Sequence, residues 1–337
     1  MSLIKFGIEF VPDTAFWQTV GCGILSEKYG FDYVWITDHF NNRNVYVILT
    51  LIANYTDRVF LGPGVTNPYL THPAVIASST ASLDRISGGR AVLGIGAGDK
   101  VTLGFLGVKR RKPLTTVREC VEILRSFFRG DRVSYNGEIF QVQSAALAFK
   151  PRPNIPIYIG AQGPKMLALA AEIGDGVLIN ASHPVDFKFA IEHIKKGLER
   201  GGKSMEQIDV AAYASFSVHE DAKKALKAAI PVVAFIVAGS PQIVLERHDI
   251  PEEKAATIGE LLRSGKFKDA FGMVTEDMID AFSIHGTPED CIKRIEELVD
   301  VGITQLVVGS PIGPKRRSAM KLISEKIIPR LREEFGG

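Results

Sequence analysis

Short runs of β-branched and aromatic residues alternate along the chain with segments in which apolar residues recur every three or four positions. The first pattern is typical of buried strands and the second of amphipathic helices. Eight strands are predicted, at Ile4–Glu9, Tyr33–Ile36, Val59–Gly62, Ala91–Ile95, Ile157–Ile159, Gly176–Ile179, Asp209–Ser217 and Gln305–Val308. Helices are predicted between them, at Thr14–Tyr29, Pro73–Ile86, Leu114–Phe128, Lys165–Ile173, Asp186–Glu199 and Glu289–Val301.

Eight alternating strands and helices predict an α/β fold, the (β/α)8 or TIM barrel. Two intervals between strands, residues 99–156 and 219–286, are longer than a single connecting helix requires, and we interpret them as insertions. Inside the first, Arg132–Val142 has the pattern of a hairpin around Asn136-Gly137. Because no Ser/Gly-rich linker divides the chain, we expect a single domain over residues 1–337. An open, doubly wound sheet is the alternative architecture.

Composition and charge limit the kinds of binding partner and the cellular location that are expected. The 337 residues are 46% hydrophobic and carry a formal net charge of +2, so no strong field indicates a nucleic-acid or membrane partner. Three widely spaced cysteines and the lack of a leader pattern favour a cytoplasmic protein. Val59–Leu83 has no charged residue, but its three prolines argue against a membrane span.

The active site of such a barrel is built from the loops that follow its strands. Polar and small residues gather at these positions, and they are our candidate site residues. They are Glu9, Thr37, Asp38, His39, Gly64, Val65, Thr66, Asn67, Gly96, Ala97, Gly98, Asp99, Gly160, Ala161, Gln162, Gly163, Asn180 and Ala181.

Two carboxylates are the candidates for acid–base chemistry. Glu9 ends the first predicted strand between apolar neighbours, where a desolvated carboxyl group needs a partner and is suited to act as a general acid. Asp99 follows the fourth strand. A structural carboxylate is the alternative for Glu9, a loop cap is the alternative for Asp99, and ordering of its turn is the alternative for the Asp38-His39 pair.

The glycine-containing loops are candidates for binding a ligand through the backbone. Gly160–Lys165 joins a strand to a helix and predicts a phosphate cradle, with a tight turn as the alternative. The Gly64–Asn67 loop and the Gly96–Gly98 run allow a flat ring to approach the backbone, with a tightly turned loop as the alternative for Gly64–Asn67. Gly94–Asp99 is not a dinucleotide fingerprint, because Asp99 occupies the third glycine position.

Other site types are not indicated. Gly197–Ser204 satisfies the P-loop expression but ends a predicted helix instead of following a strand. The seven histidines have no metal-ligand spacing, and no cysteine completes a zinc pattern, so no metal is expected.

Several segments together resemble the bacterial luciferase-like superfamily of flavin and deazaflavin barrels. The most specific is SGGRAVLGIGAG at residues 87–98, followed by KPRPNIPIYIG at 150–160 and by Thr37-Asp38-His39. FGIEFVPD, TDHFNNRNVY, GPGVTNPYLTHP and IGAQGPKMLALAAEIGDG are similar to the branch that reduces methylene-tetrahydromethanopterin. The resemblance covers essentially the whole chain.

The resemblance implies coenzyme F420 as hydride donor and methylene-tetrahydromethanopterin as substrate, giving methyl-tetrahydromethanopterin. It also implies a non-prolyl cis peptide at Gly64–Val65, a homo-oligomer (dimer or tetramer), and binding of the coenzyme phosphate at Gly160–Lys165. Glu9 or Asp99 would then supply or stabilise the proton that opens the pterin's five-membered ring. An FMN-dependent monooxygenase of the same superfamily and a non-catalytic flavin-binding barrel are the alternatives.

Overall fold

The computed structural model describes residues 4–335. Its strands are β1 (Lys5–Phe10), β2 (Tyr33–Ile36), β3 (Phe60–Pro63), β4 (Leu93–Ile95), β5 (Val133–Asn136), β6 (Gln141–Ala145), β7 (Ile157–Gly160), β8 (Gly176–Ile179), β9 (Asp209–Val218), β10 (Ile284–Gly286) and β11 (Gln305–Ile312). All eight predicted strands are confirmed, with ends that differ by a few residues.

The helices surround these strands in chain order. They are α1 (Phe16–Lys28), α2 (Val45–Ala53), α3 (Pro73–Ile86), α4 (Lys100–Phe105), α5 (Pro113–Arg129), α6 (Pro164–Ile173), α7 (Pro184–Gly201), α8 (Ala222–Gly239), α9 (Gln242–Arg247), α10 (Glu252–Arg263), α11 (Phe267–Gly272), α12 (Glu276–Phe282), α13 (Pro288–Asp300), α14 (Arg316–Leu322) and α15 (Ile328–Phe335). A 3₁₀ turn at Met205–Gln207 and a π-helical turn at Ile323–Ile327 complete the set.

The main sheet has the strand order β3-β2-β1-β11-β9-β8-β7-β4, and β10 pairs with β9 beside this path. Bridges Leu61–Ala91 and Thr66–Ile95 join the two ends of the order in parallel. The fold is therefore the predicted (β/α)8 barrel, and the open sheet is wrong. The hairpin is confirmed as the separate antiparallel pair β5-β6.

Capping residues explain where helix α13 begins. Thr287 caps α13 in a reciprocal arrangement with Asp290, and Pro288 occupies the first turn. Helix α2 is not among the predicted helices because its sequence, VYVILTLIA, is too uniformly apolar to show a helical period. Gly197 lies inside α7, so the P-loop-like segment does not join a strand to a helix.

The chain forms two compact units. The first contains Ile8–Leu178 and His193–Asp209, and its fully buried side chains include Trp35, Phe10 and Phe127.

Within the described chain, the second unit contains residues 4–7, 179–192 and 210–335. Its helices α8 to α12 pack around their own apolar cluster, with Val233, Ile258 and Phe282 among its buried members. Across residues 4–335, no helix combines the length and apolar character that a membrane crossing requires.

Candidate active site

A bulge after β3 carries Val65 toward the ends of β4 and β7. The Gly64–Val65 peptide bond is cis, as expected. Hydrogen bonds on both sides of Thr66 attach the bulge to β4, since its N–H donates to the Gly94 carbonyl at 2.9 Å and its carbonyl accepts from the Gly96 N–H at 2.8 Å. These two hydrogen bonds hold the backbone of the loop against β4.

The glycines of β4 and β7 leave room for this bulge. A Cβ on Gly96 would lie 2.7 Å from Val65 Cγ2, and one on Gly94 would lie 2.3 Å from the Pro63 carbonyl oxygen. At Gly160 the equivalent distance to Val65 Cγ1 is an ordinary 3.4 Å. Close packing against Pro63 and Val65 thus explains Gly94 and Gly96, a role that the sequence alone does not reveal.

Thr66 and Asn67, which belong to the same loop, are both buried. The Asn67 Oδ1 accepts hydrogen bonds from the N–H groups of Tyr69 at 3.2 Å and Leu70 at 3.1 Å. This side chain shapes the turn that leads away from the bulge. Gly98 has a φ of +67°, which favours glycine at that position.

Glu9 is 4% exposed and lies between the fully buried Ile8 and Phe10 at the end of β1. The neighbouring strand end is linked to it, because the Thr37 N–H donates to the Phe10 carbonyl at 3.2 Å. Within the described chain, the buried Thr37 Oγ1 has no hydrogen-bond partner. An enclosed carboxyl group and an unsatisfied hydroxyl thus occur on adjacent strands, an arrangement that suits a polar ligand.

The two residues that follow Thr37 are more open. Asp38 is half-buried and His39 is exposed. The His39 carbonyl accepts from the Asn42 N–H at 3.0 Å, which closes a turn. Both remain candidate coenzyme contacts.

Asp99 is exposed and caps α4. Its Oδ1 accepts from the Thr102 N–H at 2.7 Å and from the Thr102 hydroxyl at 2.9 Å. A helix cap accounts for these contacts, so the geometry around Glu9 is the more suggestive of acid–base chemistry.

The loop Gly160–Gly163 ends β7 and starts α6. Gly163 is the N-cap, no side chain caps the helix, and Pro164 occupies its first turn. A Cβ on Gly163 would meet nothing within 4 Å. Gln162 is half-buried, and Ala161 is held by its N–H donating to the Leu178 carbonyl at 3.0 Å. This open, uncapped helix start is suited to a phosphate.

Asn180 and Ala181 belong to the second unit. Asn180 is exposed, whereas Ala181 is buried and its N–H donates to the Ile179 carbonyl at 2.8 Å. They occupy the loop after β8, as predicted.

The first four residues of the most specific sequence motif, Ser87–Arg90, have a structural role. The buried guanidinium of Arg90 donates to the carbonyls of Ala53, Thr56, Val59 and Ser87 at 2.6–3.0 Å. Burial lowers the pKa of Arg90, and the charges of Glu27 and Asp57 oppose that shift.

The buried Asp84 pairs with Arg152 at 2.8 Å beside this network. These residues order the entry to β4, at the end opposite to the candidate site residues Gly96–Asp99.

Comparison with known proteins places this geometry in context. The model of the luciferase-like monooxygenase family matches residues 10–305. A 5,10-methylenetetrahydromethanopterin reductase of Archaeoglobus fulgidus is 56% identical over 98% of this chain and 100% of that protein. A protein of the same description from Methanolobus tindarius is 52% identical over 96% and 100%.

A solved structure is similar throughout. It is the coenzyme F420-dependent tetrahydromethanopterin reductase of Methanopyrus kandleri, with 44% sequence identity and a TM-score of 0.93. The match covers 98% of this chain and 100% of that one.

Proposed function

The chain belongs to the luciferase-like monooxygenase family, and we infer that within it the chain is an F420-dependent 5,10-methylenetetrahydromethanopterin reductase. The observation that carries this conclusion is identity of 44–56% over the full length of three proteins described as such reductases. Relatives this similar do not favour an FMN-dependent monooxygenase or a non-catalytic barrel.

The residues of the candidate site fit the coenzyme. The uncapped start of α6 at Gly163 suits its phosphate, together with Gly160, Ala161 and Gln162. The unsatisfied Thr37 Oγ1 suits a polar ring edge. When bound, coenzyme F420 supplies the hydride that reduces the methylene group.

The remaining coenzyme contacts in this proposal are backbone and small side chains. The bulge Gly64–Asn67 and the segment Gly96–Gly98 offer a rigid, uncharged surface to a planar ring. Asp38 and His39 contribute from the loop after β2, and Asn180 and Ala181 from the loop after β8.

Glu9 is the proposed proton donor. Its enclosed carboxyl group would hold a proton at Oε and donate it to the pterin nitrogen that leaves the methylene carbon, which makes that carbon electrophilic. Asp99 is the second candidate for this role. No activated cysteine or serine is required, because no covalent bond to the protein forms.

An assay of the purified protein tests the assignment. Reduced coenzyme F420 and methylene-tetrahydromethanopterin should give oxidised coenzyme and the methyl product, and titration with FMN should give weaker binding than titration with F420. Glu9→Gln should lower kcat by about 10²–10⁴-fold, the usual contribution of a general acid. If Glu9→Gln and Asp99→Asn both keep near-normal turnover, the acid assignment fails.

We also propose that the protein forms a homo-oligomer through α2 and α3. Helix α2 contains no charged residue, and Val47 and Val75 are 59% and 54% exposed on these two helices. The uncharged helix α2, together with these exposed valines on α2 and α3, favours a second copy of the chain as its partner. Light scattering should give a dimer or tetramer, and Val47→Lys should lower the measured mass.

A single-domain organisation and a cytoplasmic location complete the proposal. The family model extends without interruption over residues 10–305, which supports one barrel domain. Cys22, Cys120 and Cys291 are buried free thiols, as a reducing compartment allows.

A further inference from the structure

Polar side chains from separate parts of the chain are buried together in the second unit. Asp186, in the first turn of α7, accepts a hydrogen bond from Arg247 and lies 2.9 Å from His248 Nε2. The side chains of Asp186 and His248 are only 4% and 6% exposed. The His183 ring packs edge-on against His248, with centroids 5.3 Å apart. The proposed reduction uses none of these groups.

This cluster connects two parts of the second unit. Arg247 and His248 lie at the end of α9, inside the helical segment 222–282. His183 directly precedes α7 and Asp186 lies in its first turn, just after the loop that holds Asn180 and Ala181. The carboxylate of Asp186 therefore attaches the helical segment to the base of a predicted coenzyme loop.

A second contact supports the same connection. The buried Ser182 hydroxyl donates to the carbonyl of Phe282 at 3.1 Å, where α12 ends. Ser182 lies within the loop itself, so the loop is attached to the helical segment at two points. Because the segment has its own apolar cluster, these polar contacts determine its position on the loop without being needed for its internal packing.

Asp186 compensates the buried positive charge of Arg247. Its guanidinium lies 4.1 Å from the ring centroid of Phe189, one turn further along α7, and its side chain is 12% exposed. Its Nη2 is buried and has no hydrogen-bond partner within residues 4–335. An arginine in this state requires its carboxylate, since a buried charge without a counter-ion is strongly unfavourable.

The groups around His183 extend the network outward. His183 lies 3.8 Å from Asp280, which pairs with Arg294 at 2.6 Å. Burial lowers the pKa of His183, and the nearby charges of Arg294 and His248 lower it further, while Asp280 and Asp186 oppose this. Asp186 is the acceptor that contacts both Arg247 and His248.

We propose that Asp186 is a positioning residue for coenzyme binding, which holds segment 222–282 against the loop Asn180–His183 through Arg247 and His248. The inference rests on the proposed function, because it takes this loop to contact coenzyme F420. Loss of the carboxylate should then weaken coenzyme binding while chemistry at saturating coenzyme continues.

The test compares three variants of the full-length protein by fluorescence titration with F420, steady-state kinetics and thermal unfolding. Asp186→Asn removes only the charge. Asp186→Leu/Arg247→Met replaces both partners with apolar groups, which usually preserves stability. Asp221→Asn is the matched control, since this carboxylate lies in the same segment but caps α8, where it accepts from the Lys223 N–H.

The Kd for F420 should rise about 5- to 30-fold in the first two variants. Their kcat should stay within about twofold of the wild-type value, and the control should keep the wild-type Kd. A wild-type Kd in the double variant would overturn the proposal, whether or not Asp186→Asn folds, because the attachment would then be dispensable. If instead the wild-type protein fails to oxidise reduced F420 with the pterin, the proposed function fails on its own.

Discussion

A single added methyl group at Gly96 tests the packing of the active-site bulge. The Cβ of Gly96→Ala would lie 2.7 Å from Val65 Cγ2, whereas ordinary contacts begin near 3.4 Å. Val65 must therefore retreat by 3.4 − 2.7 = 0.7 Å. Its branched side chain has few alternative rotamers, and hydrogen bonds through Thr66 hold the backbone in place.

The cost follows from overpacking. Forcing extra volume into a well-packed site costs about 1–3 kcal/mol, so Gly96→Ala should unfold at lower denaturant concentration by that amount. Gly160→Ala is the matched control, because its Cβ would stand 3.4 Å from Val65 Cγ1. Its effect on stability should be clearly smaller.

A double variant identifies the cause. Val65→Ala removes the Cγ2 methyl group that the new Cβ would meet at 2.7 Å. Val65→Ala/Gly96→Ala should therefore be more stable than the sum of the two single effects by about 1 kcal/mol or more. Denaturant unfolding followed by fluorescence measures all four proteins of the cycle. Additive effects within about 0.5 kcal/mol would refute the packing explanation.

Three further substitutions separate binding from structure. Gly163→Ala adds a Cβ that meets no protein atom, so the free energy of unfolding should change by no more than about 1 kcal/mol. The Kd for F420 should rise about tenfold, whereas binding of the deazaflavin chromophore without its phosphate-bearing side chain should be unchanged. Equal losses for both ligands would argue against a phosphate site. Asp84→Asn should cost about 1–3 kcal/mol of stability, since it disrupts the pair with Arg152, yet leave the KM of the folded enzyme unchanged; a raised KM would place this motif in the site. Desolvation acts to raise the pKa of Glu27, but hydrogen bonds from the backbone N–H groups of Arg58, Val59 and Asp57 outweigh it and leave the pKa lowered. The wild-type protein should therefore be more stable than Glu27→Gln at neutral pH, and this advantage should disappear as the pH falls through the lowered pKa. An advantage that grows in acid would contradict this sign.

The sequence predicted the barrel because its strands carry a local signal. Each of the eight is a short apolar run bounded by glycine, proline or polar residues, and such runs survive in the structure with small shifts. Helix α2 and strand β10 were missed for different reasons. Helix α2 lacks polar positions to mark a period, and β10 has only three residues.

The candidate site was predictable in position but not in mechanism. Strand ends locate Glu9 and Gly163, because parallel strands bring their carboxyl ends to one edge. The dependence of Gly94 and Gly96 on Val65 is a contact between separate strands, which no local pattern encodes. The same holds for Asp186 and Arg247, which are 61 residues apart.

The SGGR segment shows the opposite difficulty. Its specificity as a motif suggests ligand binding, but the Arg90 side chain donates to backbone carbonyls of two connections instead, the one between α2 and β3 and the one between α3 and β4. A motif can be distinctive because a buried arginine needs many acceptors at fixed positions. Only the arrangement of those acceptors distinguishes the two explanations.

Isotope transfer tests the central assignment most directly. The purified protein is supplied with methylene-tetrahydromethanopterin and with reduced coenzyme F420 that carries deuterium as its transferable hydride. The methyl product is then examined by mass spectrometry. The assignment predicts one deuterium in each new methyl group. A methyl product without deuterium, or no methyl product at all, would contradict it.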